Sequence, residues 1–156
     1  MRLLILTSLL LITQDRFFDA GGYYSPTDGL FSMRGLKLRY ISLRNVDYYD
    51  GGKATHENPK ILSPEVIVAY TYIAKDSIIQ VTNRVTVNRD TVVFSFVDPE
   101  VGTISFRGGF LDKRGQFWNQ NDIAESTIVL AGLFRIQWND STVTSRRFSF
   151  TYFSGD

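Results

Sequence analysis

Residues Ser77 to Val97 limit the fold more than any other stretch, because they alternate apolar and polar side chains in two arms with a break between them. In the first arm Ile79, Val81, Val85 and Val87 share one face, and Gln80, Thr82, Arg84 and Thr86 share the other. A period of two is that of a half-buried strand. Asn88, Arg89 and Asp90 interrupt it, after which Thr91 to Val97 resumes with Val92, Phe94 and Phe96 in phase. The pattern predicts a β-hairpin, and keeping the apolar faces together sets its register: Val87 opposes Val92 and Val85 opposes Phe94. Arg-Asp lacks the glycine that two-residue type I′ loops favour, so a four-residue connection over Asn88 to Thr91 is expected. Asn83 then falls opposite Phe96 on an apolar face. A buried amide without partners costs roughly 1 to 3 kcal/mol, so Asn83 is expected in a bulge or held by structural hydrogen bonds, ahead of a ligand contact.

Strand patterns continue on both sides. Leu36 to Leu43 alternates and changes phase at Ile41, which marks a bulge. Glu65 to Lys75 follows, and Gly102 to Leu111 puts Ile104, Phe106 and Phe110 in phase, with Gly108-Gly109 as a place for a bulge or a close backbone crossing. Gln116 to Trp118 is a short return strand. Thr127 to Trp138 aligns Ile128, Leu130, Phe134, Ile136 and Trp138, and Asn139-Asp140 is a tight turn before Thr142 to Phe153, where Phe148, Phe150 and Tyr152 align. Arg146 and Arg147 must face opposite ways in a regular strand. Asp19 to Gly35, with four glycines and Pro26, reads as connecting loop.

Turn signals roughly every 10 to 14 residues, with no stretch patterned as a long amphipathic helix, indicate an all-β antiparallel fold of about seven or eight strands. A two-sheet, immunoglobulin-like sandwich is expected, with the eighteen residues Asp47 to Pro64 carrying the chain between sheets. A closed meander β-barrel is the alternative, since alternation does not determine closure.

At 156 residues the chain is one domain by length. Residues 1–20 form a candidate signal peptide: Leu3 to Thr13 is too short to span a bilayer but matches the apolar segment of a secretory leader, although no small-x-small site follows and Ala20 is a poor second. Residues 21–156 then form the β domain, which is expected to be secreted, periplasmic or at the cell surface. Seventeen basic against sixteen acidic residues leave no charge excess pointing to nucleic acid. The lack of cysteine removes disulfides, thiolate metal sites and a thiol nucleophile.

Chemistry is constrained by the single histidine. A catalytic triad would need His56 between a nucleophile and an acid, and no nucleophile elbow accompanies it, so no catalytic residues are assigned. Calcium is the better metal candidate, through Asp47, Asp50 and Glu57 or through Asp98 and Glu100, but turn formation accounts for these acids without it and no cofactor is expected. The candidate ligand-binding residues are aromatics beside hydrogen-bonding groups: Tyr48, Tyr49 and Asp50 in the long loop, and Trp118, Asn119 and Asp122 after Phe117. Aromatic faces stack on sugar rings while amides and carboxylates bond the hydroxyls; the competing reading buries Phe117 and Trp118. A non-enzymatic exported module for surface binding, adhesion or assembly is therefore expected, with a protein or glycan surface as partner and no membrane-spanning segment. A carbohydrate or small-molecule binder using an aromatic platform or a barrel cavity is the alternative.

Overall fold

The computed structural model describes residues 17–28, 32–44, 47–49, 64–73, 77–88, 90–111 and 127–153. Twelve strands occur among them: β1 (Phe17–Asp19), β2 (Gly22–Pro26), β3 (Ser32–Met33), β4 (Leu36–Arg44), β5 (Asp47–Tyr49), β6 (Glu65–Tyr72), β7 (Ile78–Thr82), β8 (Val85–Asn88), β9 (Thr91–Asp98), β10 (Gly102–Phe110), β11 (Ile128–Trp138) and β12 (Val143–Phe153). The described residues contain no helix, so none that is long and apolar enough to cross a membrane. Asp19 to Gly35 is not plain loop, since β2 and β3 lie within it; Tyr24 is buried while Tyr23 and Ser25 are not, a two-residue alternation that the surrounding glycines mask in the sequence.

Every pairing is antiparallel. The main sheet runs β7-β6-β4-β2-β12-β11-β10-β9-β8, with β3 beside β4, and β1 pairs separately with β5. Each neighbour on this path follows in chain order except β2 and β12, where an early strand meets the last one. The segment from Ile78 to Asn88 bonds to β6 through β7 and to β9 through β8, so the sheet curls nearly into a barrel. The antiparallel all-β expectation therefore holds, and the pairings trace a meander. The strands on either side of Asp47 to Pro64 are neighbours in one sheet, since β4 pairs directly with β6 from Leu36↔Tyr72 to Arg44↔Glu65, while β5 within that stretch pairs with β1 in the separate two-stranded sheet.

In the hairpin the register is as expected, Val87 opposite Val92 and Val85 opposite Phe94. The connection is shorter than expected: Asn88 pairs with Thr91, which removes both from the loop. The first arm also does not keep one face. Ile79 and Val81 are more than half exposed, Thr82 is buried, and Val85 and Val87 pack on the core. Asn83 and Arg84, both exposed, put an odd step between Thr82 and Val85 and reverse the phase. Asn83 is thus part of a bulge and does not oppose Phe96.

The core combines aliphatic side chains with a set of interlocking rings. Phe94 stacks on Phe106 with ring centroids 5.4 Å apart, Phe106 meets Phe150 edge-on at 5.7 Å, and Phe134 meets Phe148 at 6.0 Å. Each fully buried ring of this kind stabilises the fold by about 1.5–3 kcal/mol. Room for them comes from Gly108 and Gly132, which face each other across β10 and β11. A Cβ on Gly132 would lie 2.5 Å from the Phe106 ring and 2.5 Å from the Gly108 Cα. The expected bulge in β4 lies between Leu38 and Tyr40, and a second irregularity between Ile128 and Leu130 turns Ile128 outward and seats Val129 inside.

One end of the nearly closed sheet is strapped by a turn. Met33 pairs with Leu36, and Arg34 and Gly35 between them both have positive φ, as a type I′ turn requires. Arg34 Nη2 donates to Asp140 Oδ2 at 2.9 Å and Nη1 to Thr142 Oγ1 at 2.6 Å, and the guanidinium lies 4.9 Å from the centre of the Trp138 ring. Strands β2 and β12 separate β4 from β11 in the sheet, so these contacts bridge elements that share no ladder.

Candidate functional site

Strands β4 and β10 run in the same direction, because three intervening strands alternate between them. The C-terminal ends of β4 and β10 therefore lie at the same end of the nearly closed sheet, opposite the Arg34 strap. Tyr48 and Tyr49 lie in β5, whose backbone pairs with β1 as Phe18↔Tyr48 and Phe17↔Tyr49. Asp50, His56, Glu57, Phe117, Trp118, Asn119 and Asp122 lie outside the described residues.

An aromatic groove that the sequence reading missed sits on the outer wall near this end. Tyr23 in β2 pairs with Phe153 in β12 and with Ser42 in β4, which brings Tyr40 alongside. The Tyr23 and Tyr40 rings meet edge-on at 5.4 Å, Phe153 is 46% exposed, and together with Ser25 they line a groove of about 320 Å³. The signal was available as alternation in Tyr23-Tyr24-Ser25, where the buried Tyr24 sends its neighbours outward. Tyr24 Oη donates to the Ala20 carbonyl at 2.6 Å, and Tyr152 Oη donates to the Gly21 carbonyl at 2.7 Å. Ala20, the weaker of the leader's cleavage candidates, is itself buried.

A second groove, of about 360 Å³, lies on the outward wall of β8 to β11 and holds Arg84, Arg107 and Arg135 around Ser95 and Ser105. Ser95 pairs with Ser105, and Ser105 with Arg135, so these residues form one outward row. The bulge places Arg84 at its end: Thr82 Oγ accepts from the Arg84 N–H at 3.0 Å and donates to the Ser95 carbonyl at 3.1 Å, and the Ser95 N–H donates to the Arg84 carbonyl at 3.3 Å.

The buried acid is a structural group. Asp98 Oδ1 accepts from the N–H groups of Glu100 at 2.8 Å and Val101 at 2.9 Å, closing its own turn. Its Oδ2 accepts from the Tyr70 hydroxyl and from Gln80 Nε2 at 3.4 Å. Burial alone would raise the Asp98 carboxyl; the four donors outweigh it and hold the group below the usual carboxylate range. Burial, then the bond to Asp98, pushes the Tyr70 phenol well above its ordinary range. Both Asp98 oxygens are committed to the protein, so this half of the calcium reading loses its main ligand; Asp50 and Glu57 lie outside the described residues. Among the described residues no cluster of three or more His, Asp or Glu side chains could hold a metal ion.

Arg146 and Arg147 divide as expected. Arg146 is half-buried, 5.7 Å from the Phe148 ring centre and 3.0 Å from Asp28, and Arg147 is exposed. Comparison with family models, with curated proteins and with solved structures found no match for this chain.

Proposed function

We propose that this protein is a non-enzymatic, exported binding module that works through the outer wall of its barrel, with a glycan as the ligand of the aromatic groove. The observation that carries this reading is the outward gathering of Tyr23, Tyr40 and Phe153 around the Ser25 hydroxyl. Aromatic side chains of this size normally enter a core, and there they contribute their full apolar area. An exposed Phe153 beside the half-buried Tyr23 and Tyr40 presents ring faces and edges for a sugar, and the Tyr and Ser hydroxyls supply donors and acceptors for its hydroxyl groups.

The small-molecule alternative with an internal barrel cavity draws less support, because the inward rings of Phe94, Phe106, Phe134, Phe148 and Phe150 pack on one another. Export rests on the apolar segment Leu3 to Thr13. Titration with neutral hexasaccharides of glucose, xylose and mannose, followed by tyrosine fluorescence, tests the proposal. Saturable binding to at least one of them, weakened tenfold or more by Tyr40→Ala or Tyr23→Ala, is expected. Absence of binding to all three, or binding indifferent to both substitutions, overturns the glycan assignment.

A further inference from the structure

The outward wall of β8 to β12 is charged on one side only, and the inference drawn from it stands independently of the aromatic groove. Asp98 is the only carboxylate in these five strands and it is buried, whereas Arg84 at the bulge and Arg107, Arg135 and Arg147 on the wall are all exposed. Among the described residues no acid pairs with any of the four. The same strands contain no lysine. In a chain with a net charge of only +1, a row of like charges without partners costs stability through repulsion and contributes nothing to packing.

The ladder sets the spacing. Arg107 pairs with Leu133 and Leu133 with Arg147, so these two guanidinium groups stand two strand spacings apart, about 10 Å. Arg84 and Arg135 flank the Ser95–Ser105 pair at three spacings, about 14 Å. One small anion cannot bridge such distances, but successive charged groups on a chain can. Guanidinium forks hold tetrahedral oxyanions through two parallel hydrogen bonds, and the serine hydroxyls between them add neutral donors. The half-exposed Leu133 between Arg107 and Arg147 offers an apolar patch to the body of a repeating unit. No outward aromatic ring lines this groove, since Phe94 and Phe106 belong to the core, so the base-stacking platform of a single-stranded nucleic-acid site is missing from it.

We propose that this wall binds an acidic glycan, a linear polysaccharide bearing sulfate or phosphate esters, with Arg84, Arg107, Arg135 and Arg147 holding its oxyanions. The binding is electrostatic in origin and weakens steeply with added salt.

Fluorescence anisotropy with labelled dextran sulfate, unsulfated dextran and an oligo(dT) of matched charge tests it on the full chain. Saturable binding of dextran sulfate is expected, and Arg107→Ala/Arg135→Ala together should lower its affinity at least tenfold without changing the near-UV spectrum. Arg107→Lys/Arg135→Lys keeps the charge, removes the forks, and should weaken binding a few-fold. Arg44→Ala takes one charge from another wall and should leave dextran sulfate binding intact. The proposal is overturned if dextran sulfate does not bind, if unsulfated dextran competes equally for this wall, if oligo(dT) binds as tightly, or if Arg44→Ala costs as much as the double substitution.

Discussion

The Thr82 hydroxyl donates to the carbonyl of Ser95 at 3.1 Å across the seam where the sheet meets itself, and it accepts the N–H of Arg84 at 3.0 Å. One side chain thereby joins β7 to β9 and shapes the bulge that presents Arg84. Thr82→Val preserves shape and removes both bonds. Leaving these partly buried groups unsatisfied costs about 1 kcal/mol, the low end of the range for buried groups, which for a domain of this size lowers the melting temperature by roughly 2–4 °C. Thr82→Ser should recover most of the loss. Thermal denaturation followed by circular dichroism checks both, and amide exchange at Ser95 should accelerate in the valine variant alone.

Tyr70 contributes to the alkaline limb of the pH profile and Asp98 to the acid one. The Asp98 carboxyl is held below the usual range in the fold, so between that depressed value and the unfolded value near 4 the unfolded chain binds more protons. Its contribution is present above about pH 4 and is lost as pH falls. The Tyr70 phenol is raised, so its contribution is present below about pH 10 and is lost as pH rises beyond. Melting temperature should form a plateau between these limits. Tyr70→Phe should lower the plateau and flatten the alkaline decline, while Asp98→Asn should flatten the acid one; an unchanged profile in either variant would contradict the assignment.

The strap formed by Arg34 should open in acid. Asp140 lies well below the usual carboxylate range, first through the hydrogen bond from Arg34 and then through those from Thr142, so protonation releases the guanidinium. Because Arg34 lies over Trp138, indole fluorescence reports the event. The emission of wild-type protein minus that of Trp138→Phe should stay constant through the usual carboxylate range and change only well below about pH 4, and Arg34→Ala should abolish the change. Both partners are half-exposed, so high salt should mimic part of the effect.

Gly132→Ala should be among the most damaging single methyl additions in the sheet. The added Cβ meets the Gly108 Cα and the Phe106 ring, each at 2.5 Å, and the Arg107 carbonyl at 2.6 Å. Backbone atoms on the opposite strand cannot rotate away. A loss of about 3 kcal/mol or more is expected, at the upper end of what overpacking costs. Equilibrium denaturation of Gly132→Ala and of the relieving double variant Gly132→Ala/Phe106→Leu measures it; the second should be the more stable of the two.

The alternation of Val92, Phe94 and Phe96, of Phe134, Ile136 and Trp138, and of Phe148 and Phe150 determined from sequence alone that these strands exist, which face each buries, and how the hairpin is registered, because a strand's two faces are distinguished by nearest-neighbour solvation. The same local rule failed at Ile79 and Val81. There the interior needed Gln80 for Asp98 and Thr82 for Ser95, polar demands set by residues 13 to 18 positions away, so the apolar side chains went outside. Only the tertiary structure decided that β2 meets β12, that the segment through Thr82 bonds on both sides, and that Tyr23, Tyr40 and Phe153 gather on one wall while Arg84, Arg107, Arg135 and Arg147 stand on another. Each of these depends on the curvature and closure of the sheet, and alternation carries no information about closure.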